Sequence, residues 1–221
     1  MVKIYIVRHG YSLGNEKGLI TGNYDCDLAE YGFRQAQLIS DYIVKNLKID
    51  AVYSSDLCRA VNTIKPMADA LNLPIIKEKA FREMSVGKWE GLAFAEAKRL
   101  YPKEFDDWMN SDDGGHVIGG EGWSDVQNRA VKRLNEIVKE NDNKNIVICT
   151  HGGVIKVLQC YFAGLSVDKV SDIDWVSNTS ITEVWFEDEK YTVKRFSFDV
   201  LIISKIKGHN KTLFKEKTDL L

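Results

Sequence analysis

Two of the four histidines in this 221-residue chain stand in matching settings, Arg8-His9-Gly10 and Thr150-His151-Gly152. Each follows an apolar run, residues 2–7 and 145–150, and each precedes a glycine that lets backbone approach a ligand closely. A histidine can act as a covalent nucleophile if its attacking nitrogen carries no proton. A neighbouring cation favours that state, because like charge disfavours the imidazolium. Arg8 adjoins His9, and Arg59 stands in the first turn of a predicted helix. Their guanidiniums offer forked donors to phosphoryl oxygens. With a second histidine they would stabilise the negative charge of a phosphoryl-transfer transition state in place of a metal. The leaving oxygen then needs a proton, and Glu83, in Phe81-Arg82-Glu83-Met84, is the candidate donor.

These residues can meet only if the chain brings several strand ends together. Residues 2–7 read as a buried strand, and residues 145–150 as one covered on both faces, since the apolar run does not alternate. Residues 51–53 and 74–77 are short strands. Residues 181–187 and 191–197 alternate apolar and polar around Glu187-Asp188-Glu189-Lys190, which predicts a hairpin. Asp27-Leu28-Ala29-Glu30 reads as a capping box opening a helix that runs to Lys48. A helix over 57–71 contains Pro66, which is expected to kink it or cost stability. Residues 93–101 are helical in pattern. Ser124 and Gln127 are expected to cap a helix with Val126, Ala130, Leu134, Ile137 and Val138 on one side. Gly152-Gly153 leads into another helix, whose N-terminus would favour an anion. Residues 11–26 and 81–91 read as loops, and 110–122 as a glycine-rich surface segment. Strands alternating with helices predict an α/β fold with a mainly parallel sheet between helical layers. Ligands of such sheets bind at the carboxyl ends of the strands, where both histidines fall. Residues 1–200 are expected to form a single domain, with 201–221 a lysine-rich tail.

A net charge of −2, with 44% hydrophobic and 28% charged residues, describes an ordinary globular chain. It argues against a general nucleic-acid or membrane-surface binder, because no excess of cation is present to neutralise a polyanion. A small phosphorylated metabolite needs only a local cationic pocket. Cys26, Cys58, Cys149 and Cys160 form no Cys-x-x-Cys pair and read as reduced, buried thiols. The N-terminal apolar run is too short for a signal-peptide core, and no stretch approaches the roughly 20 apolar residues of a membrane span. The expected location is the cytoplasm. Asp112, Asp113 and His116 read as a solvated loop, so no metal site is expected. The segment 114–122 lacks the ending of a nucleotide P-loop.

The order of short motifs carries a resemblance. Arg8-His9-Gly10 with Asn15 is followed by Gly22-x-x-Asp25-x-x-Leu28, then Ser54-Ser55-Asp56-Leu57-x-Arg59-Ala60. Glu83-x-x-x-Gly87-x-Trp89-Glu90-Gly91, Gly120-Glu121 and Thr150-His151-Gly152-Gly153 complete the series. Over roughly residues 2–187 this resembles the histidine phosphatase superfamily, also called the phosphoglycerate mutase-like family. The resemblance implies a three-layer α/β/α sandwich and catalysis without a metal or other cofactor. It implies His9 as the phosphorylated nucleophile and Arg8, Arg59 and His151, with Gly152 beside them, as the phosphate pocket. Asn15 is implied as a further phosphate contact and Glu83 as the proton donor. Cofactor-dependent mutases of the family carry a long insertion with paired arginines after the glutamate segment. Residues 92–119 hold only Arg99, so the chain is more similar to the phosphatase branch, including the broad-specificity and α-ribazole phosphatases.

The expected reaction is hydrolysis of a small phosphomonoester through a phosphohistidine on His9. A mutase and a non-catalytic phosphate-binding module are the rivals. Several residues also have plainer readings. Asn15 can cap a turn, Glu83 can pair with Arg82 or Arg59, and Glu121 can cap the following helix and is left out of the catalytic set. Trp89, Trp108, Trp123 and Phe105 can line a substrate pocket or pack the core. A homodimer through a strand edge or the tail stays open.

Overall fold

The computed structural model describes residues 1–110, 117 and 119–199. The sheet strands are β1 (Val2–Arg8), β2 (Ala51–Ser54), β3 (Ile75–Lys77), β4 (Asn145–Thr150), β5 (Ile181–Glu187) and β6 (Lys190–Phe198). They make one sheet in the order β3-β2-β4-β1-β5-β6. β3, β2, β4 and β1 are mutually parallel, and the β5–β6 hairpin joins β1 antiparallel. Asp188 and Glu189, at the tip of that hairpin, both take positive φ, as a tight two-residue turn requires.

Both faces of the sheet are covered, and the pleat of the central strands sorts the core into two halves. Ile4 and Ile6 of β1 and Ile146 and Ile148 of β4 point to one face. There they meet Val126, Ala130, Leu134 and Ile137 of α6 (Trp123–Glu140) and Val154 and Leu158 of α7 (Gly152–Phe162). Tyr5, Val7, Val147 and Cys149 point to the other face. They pack against Ile39 and Ile43 of α2 (Glu30–Asn46) and Ala60, Ile64 and Met67 of α3 (Cys58–Leu71). The result is the expected three-layer arrangement.

Some local expectations are corrected. Asp27 and Glu30 form no capping box: α2 begins at Glu30, with Ala29 before it. The Asp27 carboxylate instead accepts hydrogen bonds from the Leu28 amide and from Asn62 of α3, both at 2.7 Å. Residues 27–29 are held away from helical geometry by backbone bonds to the 11–13 segment, Leu13 N to Asp27 O at 2.9 Å and Ala29 N to Tyr11 O at 3.0 Å. Ser124 and Gln127 do not cap α6. Its N-cap is Gly122, whose N–H donates to Asp125 at 3.0 Å. The 11–26 loop contains a short helix, α1 (Leu13–Glu16). Pro66 sits inside α3, which runs unbroken to Leu71. Between residues 84 and 110, α4 (Phe94–Leu100) and α5 (Pro102–Asn110) pack against each other through Phe94 and Phe105. Trp89, Phe105 and Trp108 pack ring against ring there, with Trp89 5.6 Å from each of the other two, so these three aromatics are core. All four cysteines are free, three of them buried and Cys58 half-buried. Asp112, Asp113, His116 and the 201–221 tail lie outside the described residues.

Among the described residues, no helix is long and apolar enough to cross a membrane.

Candidate active site

The parallel register of β1 with β4 pairs Arg8 with Thr150, so the residues that follow, His9 and His151, leave the sheet side by side. His9 N donates to Thr150 O at 2.9 Å, and the two imidazole rings lie 5.0 Å apart. β2 ends next to β4, and its following residue, Ser55, donates its N–H to Cys149 O at 2.8 Å. That contact places the Ser55 hydroxyl 2.8 Å from His151 Nε2. β3 delivers the chain to a short 3₁₀ turn (Lys79–Phe81) and then to Glu83. Thr150 Oγ1 donates to Phe81 O at 2.7 Å, tying that turn to the end of β4. The carboxyl ends of four adjacent parallel strands therefore border one site.

His9 is buried, and its Nδ1 lies 2.8 Å from Gly10 O. A carbonyl oxygen only accepts, so Nδ1 carries the hydrogen. Burial, then the Arg59 and Arg8 guanidiniums, hold the imidazole well below its ordinary pKa. The ring is therefore neutral, and Nε2 keeps a free lone pair. Gly10 is fixed in turn: its N–H donates to Thr63 Oγ1 at 2.8 Å, and Thr63 donates to Arg59 O at 2.6 Å. The Tyr11 amide donates to Gln35 of α2 at 2.7 Å. The loop lies so close to α2 that a Cβ on Gly32 would stand 2.0 Å from Tyr11 O, which leaves room only for glycine.

Arg59 is completely buried. Its Nη1 and Nη2 donate to Tyr24 O at 2.9 Å and Gly22 O at 2.7 Å, carbonyls of the loop that precedes α2. Arg8 donates through Nη1 to Val176 O. Burial lowers the pKa of both arginines, partly offset by the Glu83 charge and, at Arg59, first by Cys26. The Nε atoms of Arg8 and Arg59 and the Nδ1 of His151 are buried and have no hydrogen-bond partner among the described residues. Buried polar nitrogens without partners are costly. The Arg59 and Arg8 charges act on His9 and the His151 ring lies 5.0 Å from it, which marks the space beside His9 as one suited to an anion. His151, also held well below its ordinary pKa by burial and then by Arg59, is the N-cap of α7. Gly152 and Gly153 form the first turn of that helix.

Glu83 faces this turn. Its carboxylate accepts from Met84 N at 2.9 Å and Gly153 N at 3.1 Å. A Cβ on Gly153 would lie 2.4 Å from Glu83 Oε1. Arg82 pairs with Asp56 through two bonds of 2.7 Å, so Glu83 is not its partner. The structure thus brings together His9, His151, Arg8, Arg59, Glu83 and Gly152. Asn15 is committed differently: its Oδ1 accepts from Ser12 N and Ser12 Oγ, in a capping box on α1. Only its Nδ2 is left for another partner.

Sequence reasoning missed three supports. Ser55 was part of a quoted motif without a role. Thr63 lies one helical turn after Arg59, a spacing that puts both on one face of α3. Arg129 of α6 holds the Glu83 segment, donating to Ala80 O at 2.7 Å, Arg82 O at 2.8 Å and Glu83 O at 3.0 Å. The same guanidinium binds the Glu121 carboxylate twice, at 2.7 and 2.9 Å. Glu121 does not cap α6 but accepts from Ser85 N at 2.9 Å, closing the clamp on the far side of Glu83.

Comparison with known proteins agrees with this geometry. The sequence model of the histidine phosphatase superfamily (branch 1) matches residues 4–199. Phosphoserine phosphatase 1 of Hydrogenobacter thermophilus is 30% identical over 197 residues, 89% of this chain and 92% of that protein. The metal-independent phosphoserine phosphatase of Arabidopsis thaliana is 29% identical over 208 residues, 93% of this chain and 85% of that one. Among solved structures, Bacillus stearothermophilus YhfR superposes with a TM-score of 0.86 at 25% identity, covering 91% of this chain and 100% of that one.

Proposed function

This chain belongs to the histidine phosphatase superfamily, and on that footing we propose that it is a metal-independent phosphatase that hydrolyses a small phosphomonoester through a phosphohistidine on His9. One observation carries the reading. His9 donates from Nδ1 to Gly10 O, which leaves Nε2 with a free lone pair on a ring whose acting charges are the Arg59 and Arg8 guanidiniums.

In the first step Nε2 attacks phosphorus in line with the leaving oxygen. The P–O bond breaks, and Glu83, in its acid form, gives its proton to the departing alkoxide. Arg8, Arg59 and His151 stabilise the charge on the three equatorial oxygens. In the second step the Glu83 carboxylate takes a proton from water, whose oxygen attacks phosphorus as the P–N bond breaks. Inorganic phosphate leaves, and both His9 and Glu83 return to their starting forms. A mutase reading finds no support in the site: Arg99, the sole arginine between residues 92 and 119, is exposed on α4. The free thiols are in keeping with a cytoplasmic enzyme.

The test is phosphate release from p-nitrophenyl phosphate and a panel of phosphometabolites with EDTA present, for wild type and His9→Ala. Release by the wild type and its loss in the variant are expected, together with an acid-labile phosphoenzyme in the wild type alone. Near-wild-type turnover by His9→Ala would remove His9 as nucleophile.

A further inference from the structure

Phosphate chemistry occupies the inner wall of the pocket and leaves its outer wall without a task. Trp175, in the coil before β5, is 59% exposed, more than any other large apolar side chain among the described residues. It is nevertheless held at the site. Its neighbour Val176 accepts the Arg8 hydrogen bond. A Cβ on Gly152 would come within 2.9 Å of the Trp175 ring, so the indole rests directly on the backbone next to His151. On the adjacent residue, a Cβ on Gly153 would meet the Trp123 ring at 3.2 Å and Glu83 Oε1 at 2.4 Å. The two indoles lie 6.4 Å apart and are tilted by 56°, covering the first turn of α7 beside the Glu83 carboxylate.

Lys156, one turn further along α7, explains how an exposed indole keeps its place. Its ammonium lies 4.7 Å from the Trp175 ring centroid. Lys156 is only 5% exposed, and the Asp174 carboxylate, on the residue before Trp175, is among the charges that act on it. A desolvated cation against an indole face is a favourable contact, and here it pins the ring from the inner side. The exposure of Trp175 therefore lies on its outer side, towards solvent.

Resting on the phosphatase reading, we propose that Trp175 and Trp123 form the wall that binds the leaving alcohol. On this reading the preferred substrates are phosphomonoesters whose alcohol carries a flat aromatic or apolar face next to the ester oxygen. Glu83 must meet that oxygen, and the group beyond it then lies against two indoles. Ring pairs at such separations are stabilising. The Lys156 ammonium is already committed to Trp175, and the Arg8 guanidinium, 3.5 Å from a Cβ on Gly152, is on this reading taken up by the phosphoryl group, so among the described residues a carboxylate on the alcohol finds no uncommitted cation at the wall.

The experiment compares kcat/KM for benzyl phosphate, n-propyl phosphate and L-phosphoserine in wild type, Trp175→Ala and Trp175→Phe. Benzyl and n-propyl alcohol are similarly basic, so the comparison isolates binding of the alcohol. The wild type is expected to favour benzyl phosphate by about tenfold. Trp175→Ala should lose most of that preference, chiefly through KM, with n-propyl phosphate falling by no more than about threefold, and Trp175→Phe should retain it. Faster turnover of L-phosphoserine than of benzyl phosphate by the wild type, or an equal fall for all three esters in Trp175→Ala, would overturn the wall. Absence of both release and a phosphoenzyme with every ester would instead overturn the phosphatase reading itself.

Discussion

Arg129 should act on catalysis chiefly through Glu83, beside a smaller charge effect on His151, and that separates it from an ordinary structural arginine. Its guanidinium makes five hydrogen bonds, three to carbonyls of residues 80–83 and two to Glu121. Arg129→Met removes all five and strands the Glu121 carboxylate. The side chains of the pair are 21% and 25% exposed, so the loss falls between that of a surface pair and that of a buried one, about 2–3 kcal/mol of stability. The larger effect is on rate. General acid catalysis is worth roughly 10²–10⁴-fold, and a displacement of about 1 Å forfeits on the order of 10² of it. The p-nitrophenolate of p-nitrophenyl phosphate leaves without needing a proton, whereas an alkoxide does not. Arg129→Met should therefore slow n-propyl phosphate hydrolysis by about 10²-fold and p-nitrophenyl phosphate hydrolysis by only a few-fold. In a Glu83→Gln background, where no acid remains to be positioned, the further loss should vanish. Equal losses on the two esters, or additive losses with Glu83→Gln, would refute the reasoning. Urea unfolding of the same variants checks that the stability loss leaves the chain folded under assay conditions.

Four further outcomes follow from the same geometry. Gly153→Ala should cut kcat on alkyl esters by about ten- to a hundredfold with little change in far-UV circular dichroism, because the new Cβ would stand 2.4 Å from Glu83 Oε1. Thr63→Val leaves the Gly10 N–H buried without an acceptor and should cost about 1–3 kcal/mol in urea unfolding; an unchanged midpoint would show that the tether contributes nothing. His9 and His151 are both held well below the unfolded value of 6.5, so the unfolded chain binds more protons as pH falls. Their contribution is complete above about pH 6.5 and declines below it, by up to about 1.4 kcal/mol per pH unit for each histidine, and the slope measured between pH 6.5 and 5.5 should be visibly shallower in His9→Asn. Inorganic phosphate should raise the melting temperature over chloride at equal ionic strength, by the equivalent of about 2.7 kcal/mol at a hundredfold excess over Kd, and Arg59→Met should abolish the shift.

The fold was readable because its signals are local and repeated. The unalternating run of β4 announces a strand covered on both faces, and the structure places α2 and α3 on one side and α6 and α7 on the other. The hairpin announced itself by alternation around an acidic turn. What failed were helix starts. Asp27 and Glu30 have the spacing of a capping box, but the Asp27 carboxylate finds Asn62, thirty-five positions along the chain, and residues 27–29 pair with residues 11–13. A capping motif states what a carboxylate can do locally and is silent about distant donors that compete for it. Glu121 repeats the lesson: near a helix N-terminus it reads as a cap, but Arg129 and the Ser85 amide claim it.

The same distinction explains which parts of the site could be read. Residues at strand ends follow from topology, since parallel pairing of β1 with β4 makes His9 and His151 neighbours once both strands are recognised. The electrostatic state of His9 does not follow from topology. Arg8 and Arg59 beside His9 were expected to keep it neutral, but the larger cause is burial, and burial depends on long-range packing that local sequence does not state. The two effects act in the same direction on the imidazole and in opposite directions on the pocket as a whole. Cations keep Nε2 free, but two buried guanidiniums, each with an unpartnered Nε, and a histidine with an unpartnered Nδ1 are unfavourable in isolation. On the proposed reading, a dianionic phosphoryl group resolves that conflict by pairing with these nitrogens while presenting phosphorus to the free lone pair. On the same reading, the arrangement that leaves these nitrogens unpaired is therefore also the one that leaves Nε2 of His9 free to attack phosphorus.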